Sequence, residues 1–191
     1  MNRQKIRIEK AKPSIMLVPV LKLPEADSVS ECKLKTIRIE RPEGINIILG
    51  QCHFIKSVED LYEVITGSVP GAKFGIAFSE SSGPCLVRRA GTDQELIDLA
   101  VKNMLSIAAG HTFIVMLRNL YPINILNSIK NVPEVCNIYC ATANTVRVIV
   151  GDTGEGRGIL GVIDGNSPKG VEDDTETEKR KAFLREVGYK L

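Results

Sequence analysis

The chain has 191 residues, 43% of them hydrophobic, 25% charged and 5% aromatic, with 25 Lys and Arg against 23 Asp and Glu. A domain of that size buries roughly 70% of its unfolded surface and needs no staples to hold a core. A net charge of +2, no Trp, four Tyr and five Phe argue against a nucleic-acid or anionic-membrane partner, and no apolar run approaches the ~18 residues of a membrane span. Five cysteines, an odd number, fit free thiols in a reducing cytoplasm. The small net charge hides an uneven distribution: residues 1–41 hold ten Lys and Arg against five acids, and the rest hold fifteen against eighteen.

Residues 1–33 read as an N-terminal extension, basic at first and then apolar over 15–23, broken by Pro19 and closed by Pro24. That run is too short for a secretory signal and lacks a small-x-small cleavage site. From Leu34 the pattern is regular. Residues 34–40 alternate apolar and charged side chains, as a half-buried strand does, and 45–49 suit a more buried one. Ser57 with Asp60 predicts a capped helix whose apolar face is Val58, Leu61, Tyr62 and Ile65. Residues 74–78 and 85–89 read as strands joined by a Ser-Ser-Gly-Pro turn. Thr92 with Glu95 predicts the cap of a long helix that Gly110 ends in the left-handed conformation. A strand over 113–117 and a helix over 122–130 come next, the latter with Pro in its first turn. Strands over 135–141 and 146–150 follow, then a charged helix near 175–187 capped by Thr175 and Glu178. Interleaved strands and helices predict an α/β class: a single-domain, three-layer sandwich with helices covering a mixed sheet, over 34–191.

Residues 151–170 hold seven of the sixteen glycines. Bare amides can line an anion-binding concavity, with Arg157 and Lys169 adding charge; a flexible loop or sharply bent strands would also need glycine. Gly156-Arg157-Gly158-Ile159-Leu160-Gly161 fits the dinucleotide pattern G-x-G-x-x-G, but glycine and Pro168 follow where a long helix should, so the dinucleotide-fold reading fails. No phosphate-binding G-x-x-x-x-G-K-[ST] is present.

His53 and His111, the only histidines, both lie at strand boundaries, where α/β sheets place ligands. An imidazole there can take a phosphoryl group or act as a base, and it can equally be a hydrogen-bonded structural residue. Cys52 and His53 are adjacent in an extended segment and point to opposite faces, poorly placed to activate each other. Cys136 and Cys140 share one face of a predicted strand about 13 Å apart, too far for one zinc, so no metal site is expected and four of the five thiols read as buried and inert. Asn144 offers donors and acceptors for a purine edge, or simple turn chemistry. Asp164 invites Mg²⁺ or Lys169 as a partner, or caps a surface turn.

Longer blocks carry a resemblance. They include Pro42-Glu43-Gly44, Gly50-Gln51-Cys52-His53-Phe54-Ile55-Lys56, Gly110-His111-Thr112-Phe113, Asn131-Val132-Pro133-Glu134-Val135-Cys136, Cys140-Ala141-Thr142-Ala143-Asn144, residues 156–165 and Ser167-Pro168-Lys169-Gly170-Val171. From about Leu34 to the end the sequence resembles the adenosine-specific kinase family. The resemblance implies a three-layer α/β fold in a homo-oligomer, for which a trimer is the working number. It also implies phosphoryl transfer involving adenosine or an adenosine phosphate, and a stable phosphohistidine. His53 becomes the first choice for the phosphorylated residue and His111 the second. The glycine segment (Gly156, Gly158, Gly161) with Arg157 and Lys169 becomes the phosphate cradle, Asp164 a further cofactor-binding residue and Asn144 a nucleoside contact. ATP or another phosphate donor, with Mg²⁺, is the expected cofactor, and adenosine or an AMP-like molecule the partner. The rival reading is an adenosine-nucleotide sensor whose phosphohistidine is a regulatory state; a weaker one is nucleic-acid association through the basic N-terminus. The family carries a small hydroxyl residue where this chain has Cys52, which speaks against an essential thiol. Residues 1–32 have no counterpart in the resemblance, and a start at Met16 would explain them.

Overall fold

The computed structural model describes residues 32–191, so the apolar run at 15–23 and the basic residues before it lie outside the described residues. In chain order the elements are β1 (Lys33–Arg38), β2 (Ile45–Cys52), α1 (Ser57–Ser68), β3 (Lys73–Ser79), β4 (Val87–Gly91), α2 (Gln94–Ile107) and β5 (Thr112–Arg118). A 3-10 turn (Pro122–Asn124), α3 (Leu126–Lys130), β6 (Val135–Thr142), β7 (Val146–Asp152), β8 (Arg157–Asp164) and α4 (Asp174–Glu186) complete the chain.

The α/β class and the layering stand, but the sheet is neither single nor mixed. Five strands form one sheet in the order β4-β3-β5-β2-β6, three form another in the order β1-β7-β8, and every ladder in both is antiparallel. The cause lies in the crossovers. Each helical connection, β2-α1-β3, β4-α2-β5 and β5-α3-β6, joins two strands that run the same way but are separated by one strand of opposite direction. Interleaving in sequence therefore signals co-directional strands, while the neighbours that share hydrogen bonds come from elsewhere in the chain.

Strands β2 and β5 are buried on both faces, as near-continuous apolar runs must be. Alternate residues divide between two cores. Ile48, Val115, Phe74, Ile76 and Phe78 pack beneath Val58, Leu61 and Ile65 of α1 and Ile129 of α3. Ile47, Leu49, Ile114 and Met116 face Leu96, Ala100, Met104 and Ile107 of α2 together with Val146, Val148 and Val150 of β7. The three layers are thus α1 with α3, the five-stranded sheet, and α2 beside the three-stranded sheet. Helix α2 presses so closely on β3 that a Cβ at Gly75 would sit 2.2 Å from the Ile97 nitrogen. Among the described residues no helix is long and apolar enough to cross a membrane.

Several helix ends differ from expectation. Ser57 is the first helical residue, and its hydroxyl turns back to donate to the Phe54 carbonyl at 2.5 Å. Asp93, one residue beyond Thr92, caps α2 by accepting from the Leu96 N–H, while Thr92 donates its hydroxyl to the Ala72 carbonyl at 2.6 Å. The left-handed cap of α2 is Ala108 at φ 49° rather than Gly110, and Asp173, not Thr175, caps α4. Residues 122–130 divide into a 3-10 turn and a one-turn helix.

The largest departure is the glycine segment. Its middle, residues 157–164, is strand β8, paired along β7 with Gly158 opposite Gly151 and Gly161 opposite Ile149. Bent strands and loop share the segment: a bulge falls between Ile149 and Val150, while the turn at 153–156, with Gly154 at φ 85°, and residues 165–170 are loop. Bulges in β6 also break the expected alternation, so Cys136 is exposed and Cys140 buried. Two thiols, Cys52 and Cys140, are buried rather than four; Cys32, Cys85 and Cys136 are exposed.

Candidate functional site

The sequence-derived candidates divide between the two ends of the fold. Strand β8 runs from Arg157 to Asp164, and at ~3.3 Å per residue that separates the two side chains by roughly 23 Å. His53, His111, Gly156, Gly158 and Arg157 belong to one end, Asn144 and Asp164 to the other.

At the histidine end β2 and β5 lie side by side. The register pairs Gln51 with Thr112, and one step further the Cys52 N–H donates to the His111 carbonyl at 2.9 Å. Both imidazoles therefore leave adjacent strands at the same edge. Cys52 itself points inward and is fully buried, and burial pushes its thiol up to about 12, so the nucleophile exposed there is the imidazole and not the thiol. His53 is exposed. Its backbone N–H is anchored on the Glu134 carbonyl at 3.1 Å, and its ring lies 6.3 Å from that of Phe54, centroid to centroid. No side-chain hydrogen bond holds either ring nitrogen among the described residues.

The loop that carries His53 is fixed by two cations. Arg88 of β4 donates to the Ile55 carbonyl at 2.8 Å, and Lys56 pairs with both Asp60 and the buried Glu134. The bonds to Asp60 and then Glu134 raise the Lys56 ammonium to about 12, so it stays charged across the physiological range. Glu134 keeps its second carboxylate oxygen buried without a partner.

His111 is held instead of free. Its backbone is left-handed at φ 57°, a conformation that costs a β-substituted residue about 1 kcal/mol or more. Its N–H donates to the Ser79 carbonyl at 2.7 Å, its ring stacks on Phe78 with an interplanar angle of 6°, and its Nε2 stands 3.7 Å from Oε1 of Glu80. Glu80 was not singled out from sequence, yet it organises this end. Oε1 accepts from the Ser82 hydroxyl at 2.9 Å and from the Ser81 and Ser82 N–H groups, and Oε2 pairs with Arg88 at 3.0 Å. The Ser82 hydroxyl above all, then the backbone donors and Arg88, hold its carboxyl below the usual range. A glutamate before Ser-Ser-Gly-Pro was the available signal, since a turn of small residues leaves unpaired N–H groups for a carboxylate to collect.

Beside Glu80 and Gly110 a cavity of about 440 Å³ opens between the β3–β4 loop, the end of α2 and the β7–β8 turn. Val87, Met104 and Leu105 make it apolar; Ser81, Gly156 and Arg157 give it polar edges. Arg157 does not float in a glycine cradle. It donates to Asp152 at 2.9 Å and to the Ser106 and Ile107 carbonyls that end α2, the helix terminus where a cation is favoured. Lys35, Gly154 N–H and Arg157 together hold the Asp152 carboxyl far below its ordinary range. Gly156 lies at the cavity's edge, whereas the amides of Gly158 and Gly161 sit in the β7–β8 ladder.

At the opposite end Asp164 accepts from the Thr142 hydroxyl at 2.8 Å and from the Asn144 amide at 3.0 Å, so its partners are side chains and not Lys169, which is exposed and has no hydrogen bond or ion pair among the described residues. Asn144 lines two cavities. One, about 650 Å³, is bounded by Arg41, Thr145, Arg147, Asn166 and Ser167; the other, about 730 Å³, by Tyr121, Ile123 and Tyr189. Among the described residues no three His, Cys, Asp or Glu side chains converge as a metal site.

Among curated proteins none matches this chain. The crystal structure of the PH1918 protein from Pyrococcus horikoshii OT3 is similar, at 44% sequence identity and a TM-score of 0.81, over 84% of this chain and 99% of that one. The model of the family described as adenosine specific kinase matches residues 37–190, a span that takes in every described strand but β1 and both ends of the fold. On that match the chain belongs to the adenosine specific kinase family.

Proposed function

We propose that the protein transfers a phosphoryl group between a donor such as ATP and adenosine or an adenosine phosphate, through a phosphohistidine at His53. The observation that carries this reading is the state of the two imidazoles at one sheet edge. His53 is exposed with both ring nitrogens uncommitted, on a backbone pinned by Glu134, Arg88 and Lys56. The His111 ring instead stacks on Phe78 and turns its Nε2 toward Glu80 at 3.7 Å. An acceptor needs a free lone pair in a fixed place, and nearby cations to balance the phosphoryl oxygens. His53 has both.

In the first step an imidazole nitrogen of His53 attacks the donor's terminal phosphorus. The N–P bond forms as the P–O bond to the leaving group breaks, and the leaving oxygen takes the electron pair. In the second step an adenosine hydroxyl attacks that phosphorus, the O–P bond forms, the N–P bond breaks, and the hydroxyl proton passes to the released imidazole. Lys56 and Arg88 supply charge neutralisation, and the apolar cavity at Val87, Met104 and Leu105 offers the nucleoside a place beside Glu80 and Arg157. Mg²⁺ belongs with the donor's phosphates, since the described carboxylates do not converge on one point. The same reading places the protein in the cytoplasm as a homo-oligomer, supported by the exposed Leu34, Leu160 and Ile163 on the three-stranded sheet.

The test is incubation of the whole chain with γ-labelled ATP and adenosine. Acid-labile, base-stable label on the protein that chases into AMP over many turnovers is the expected result. It should fall to background in His53→Ala and persist in His111→Ala. A stoichiometric label that never reaches product would leave a sensor in place of a kinase, and label retained in both variants would refute the site.

A further inference from the structure

The cavity of about 650 Å³ at the end away from the histidines has an electrostatic peculiarity. Its charged lining is Arg41 and Arg147, with Asn144, Thr145, Asn166 and Ser167 as neutral polar groups and no carboxylate. Arg38 lies directly opposite Arg147 across the β1–β7 ladder, and it lines a smaller cavity that shares Arg41 and Thr145 with the first. Residues opposed in this way have Cβ atoms ~5 Å apart, and like charges there destabilise the sheet. Neither Arg38 nor Arg147 has an acidic partner among the described residues.

The nearby acids are already occupied. Asp164 is taken by Thr142 and Asn144, and Glu40 pairs with Lys102 at 2.6 Å. Arg41 is fixed in place by donating to the Ile45 carbonyl at 2.7 Å, yet its Nε is buried without any partner. A buried N–H of a charged group left unsatisfied forfeits its hydration with no bond in return. Arg41, orphaned at its Nε, and Arg147 line this cavity with the side-chain donors of Asn166 and Ser167, and Arg38, opposite Arg147, lines the adjoining one.

We propose that this cavity is a second ligand site that binds the phosphate groups of a polyanionic small molecule. Planar, permanently charged guanidinium groups suit phosphate oxygens, which they grip in pairs. A bound dianion relieves the Arg38–Arg147 repulsion and satisfies the Arg41 Nε. Ser167 and Asn166 donate to the remaining oxygens. The site lies some 20 Å from His53 along the strands, so it requires nothing of the phosphohistidine chemistry.

Titration calorimetry of the whole chain with inorganic pyrophosphate at low salt is the experiment. One site per chain is expected, weakened tenfold or more in Arg147→Gln and in Arg38→Gln. Neither variant should lower the melting temperature, because neither side chain hydrogen-bonds to the fold and each substitution removes the Arg38–Arg147 repulsion. Arg89→Gln, which removes the same charge from β4, should bind as wild type does. No binding by the wild type, or equal weakening in all three variants, would overturn the assignment. Loss of histidine labelling in the separate kinase assay leaves this result untouched.

Discussion

Cys52 and His53 are neighbours in the chain and opposites in chemistry, because a strand turns successive side chains to opposite faces. That opposition was legible from the sequence, as was the position of both histidines at strand ends. What was not legible was which imidazole is held. Its determinants, Phe78 and Glu80, reach His111 from β3, more than thirty residues away in sequence. The cysteines make a direct check. An exposed thiol is open to a reagent, whereas burial shields Cys52 and Cys140 and pushes their thiols up to about 12. At pH 8 a disulfide reagent should modify Cys32, Cys85 and Cys136 quickly, and Cys52 and Cys140 only after denaturation; fast reaction of five thiols in the native protein would contradict the burial. Asn103, 2% exposed, is a second case. Its side chain accepts from the Glu40 N–H at 2.7 Å and donates to the Glu40 carbonyl at 2.9 Å, tying α2 to the segment that leaves β1. Asn103→Leu keeps the volume and loses both bonds, and urea unfolding should register a loss of about 2 kcal/mol.

At the scale of elements, apolar runs and turn residues located seven strands and all four helices to within a few residues. Strand β8 escaped because its glycines and mixed polarity resemble a loop; only β7, pairing along its whole length, makes it a strand. The helix caps shifted by a residue or two because several side chains competed for each terminus. Asp93 won over Thr92 at α2 once Thr92 was committed to Ala72. Gly75 shows how tightly the layers meet. A methyl group there would enter the first turn of α2, 2.2 Å from Ile97 N and from Leu96 C, where backbone cannot yield. Gly75→Ala should cost about 3 kcal/mol in denaturant unfolding, while Gly67→Ala in α1, where a Cβ meets nothing within 4 Å, should stabilise by about 1 kcal/mol through helix propensity. Equal effects of the two substitutions would contradict the packing described.

For the whole molecule, the class was readable from the alternation of elements, but the separation into two sheets was not, since it depends on pairings such as Lys33 with Asp152 that no local pattern contains. The same long reach sets the response to acid. Asp152 and Glu80 both have carboxyls held below the ordinary range by hydrogen-bond donors, so each adds stability that is complete above the unfolded carboxylate pKa of ~4 and is lost as pH falls through the lower folded value. Unfolding free energy should therefore be level near neutrality and decline below about pH 4. Asp152→Asn should lower the plateau and make the decline shallower; an unchanged acid limb would show that the Lys35–Asp152–Arg157 cluster contributes nothing. That cluster joins β1, β7, β8 and the end of α2.

The β1–β7 ladder also sets an order of events while the chain is being made. β6 ends at Thr142, so every strand of the five-stranded sheet has been synthesised before β7 is complete. β1 emerges early and its partner lies ~120 residues later, a wait of roughly 6–24 s at ordinary translation rates. Late in that interval the face of the five-stranded sheet at Ile47 and Leu49, which shares a core with Val146, Val148 and Val150, is without the strands that complete that core. Nascent chains halted at residue 145 should accordingly bind a hydrophobic dye and resist protease across β2–β6, and chains halted beyond residue 164, with β7 and β8 in place, should lose the dye.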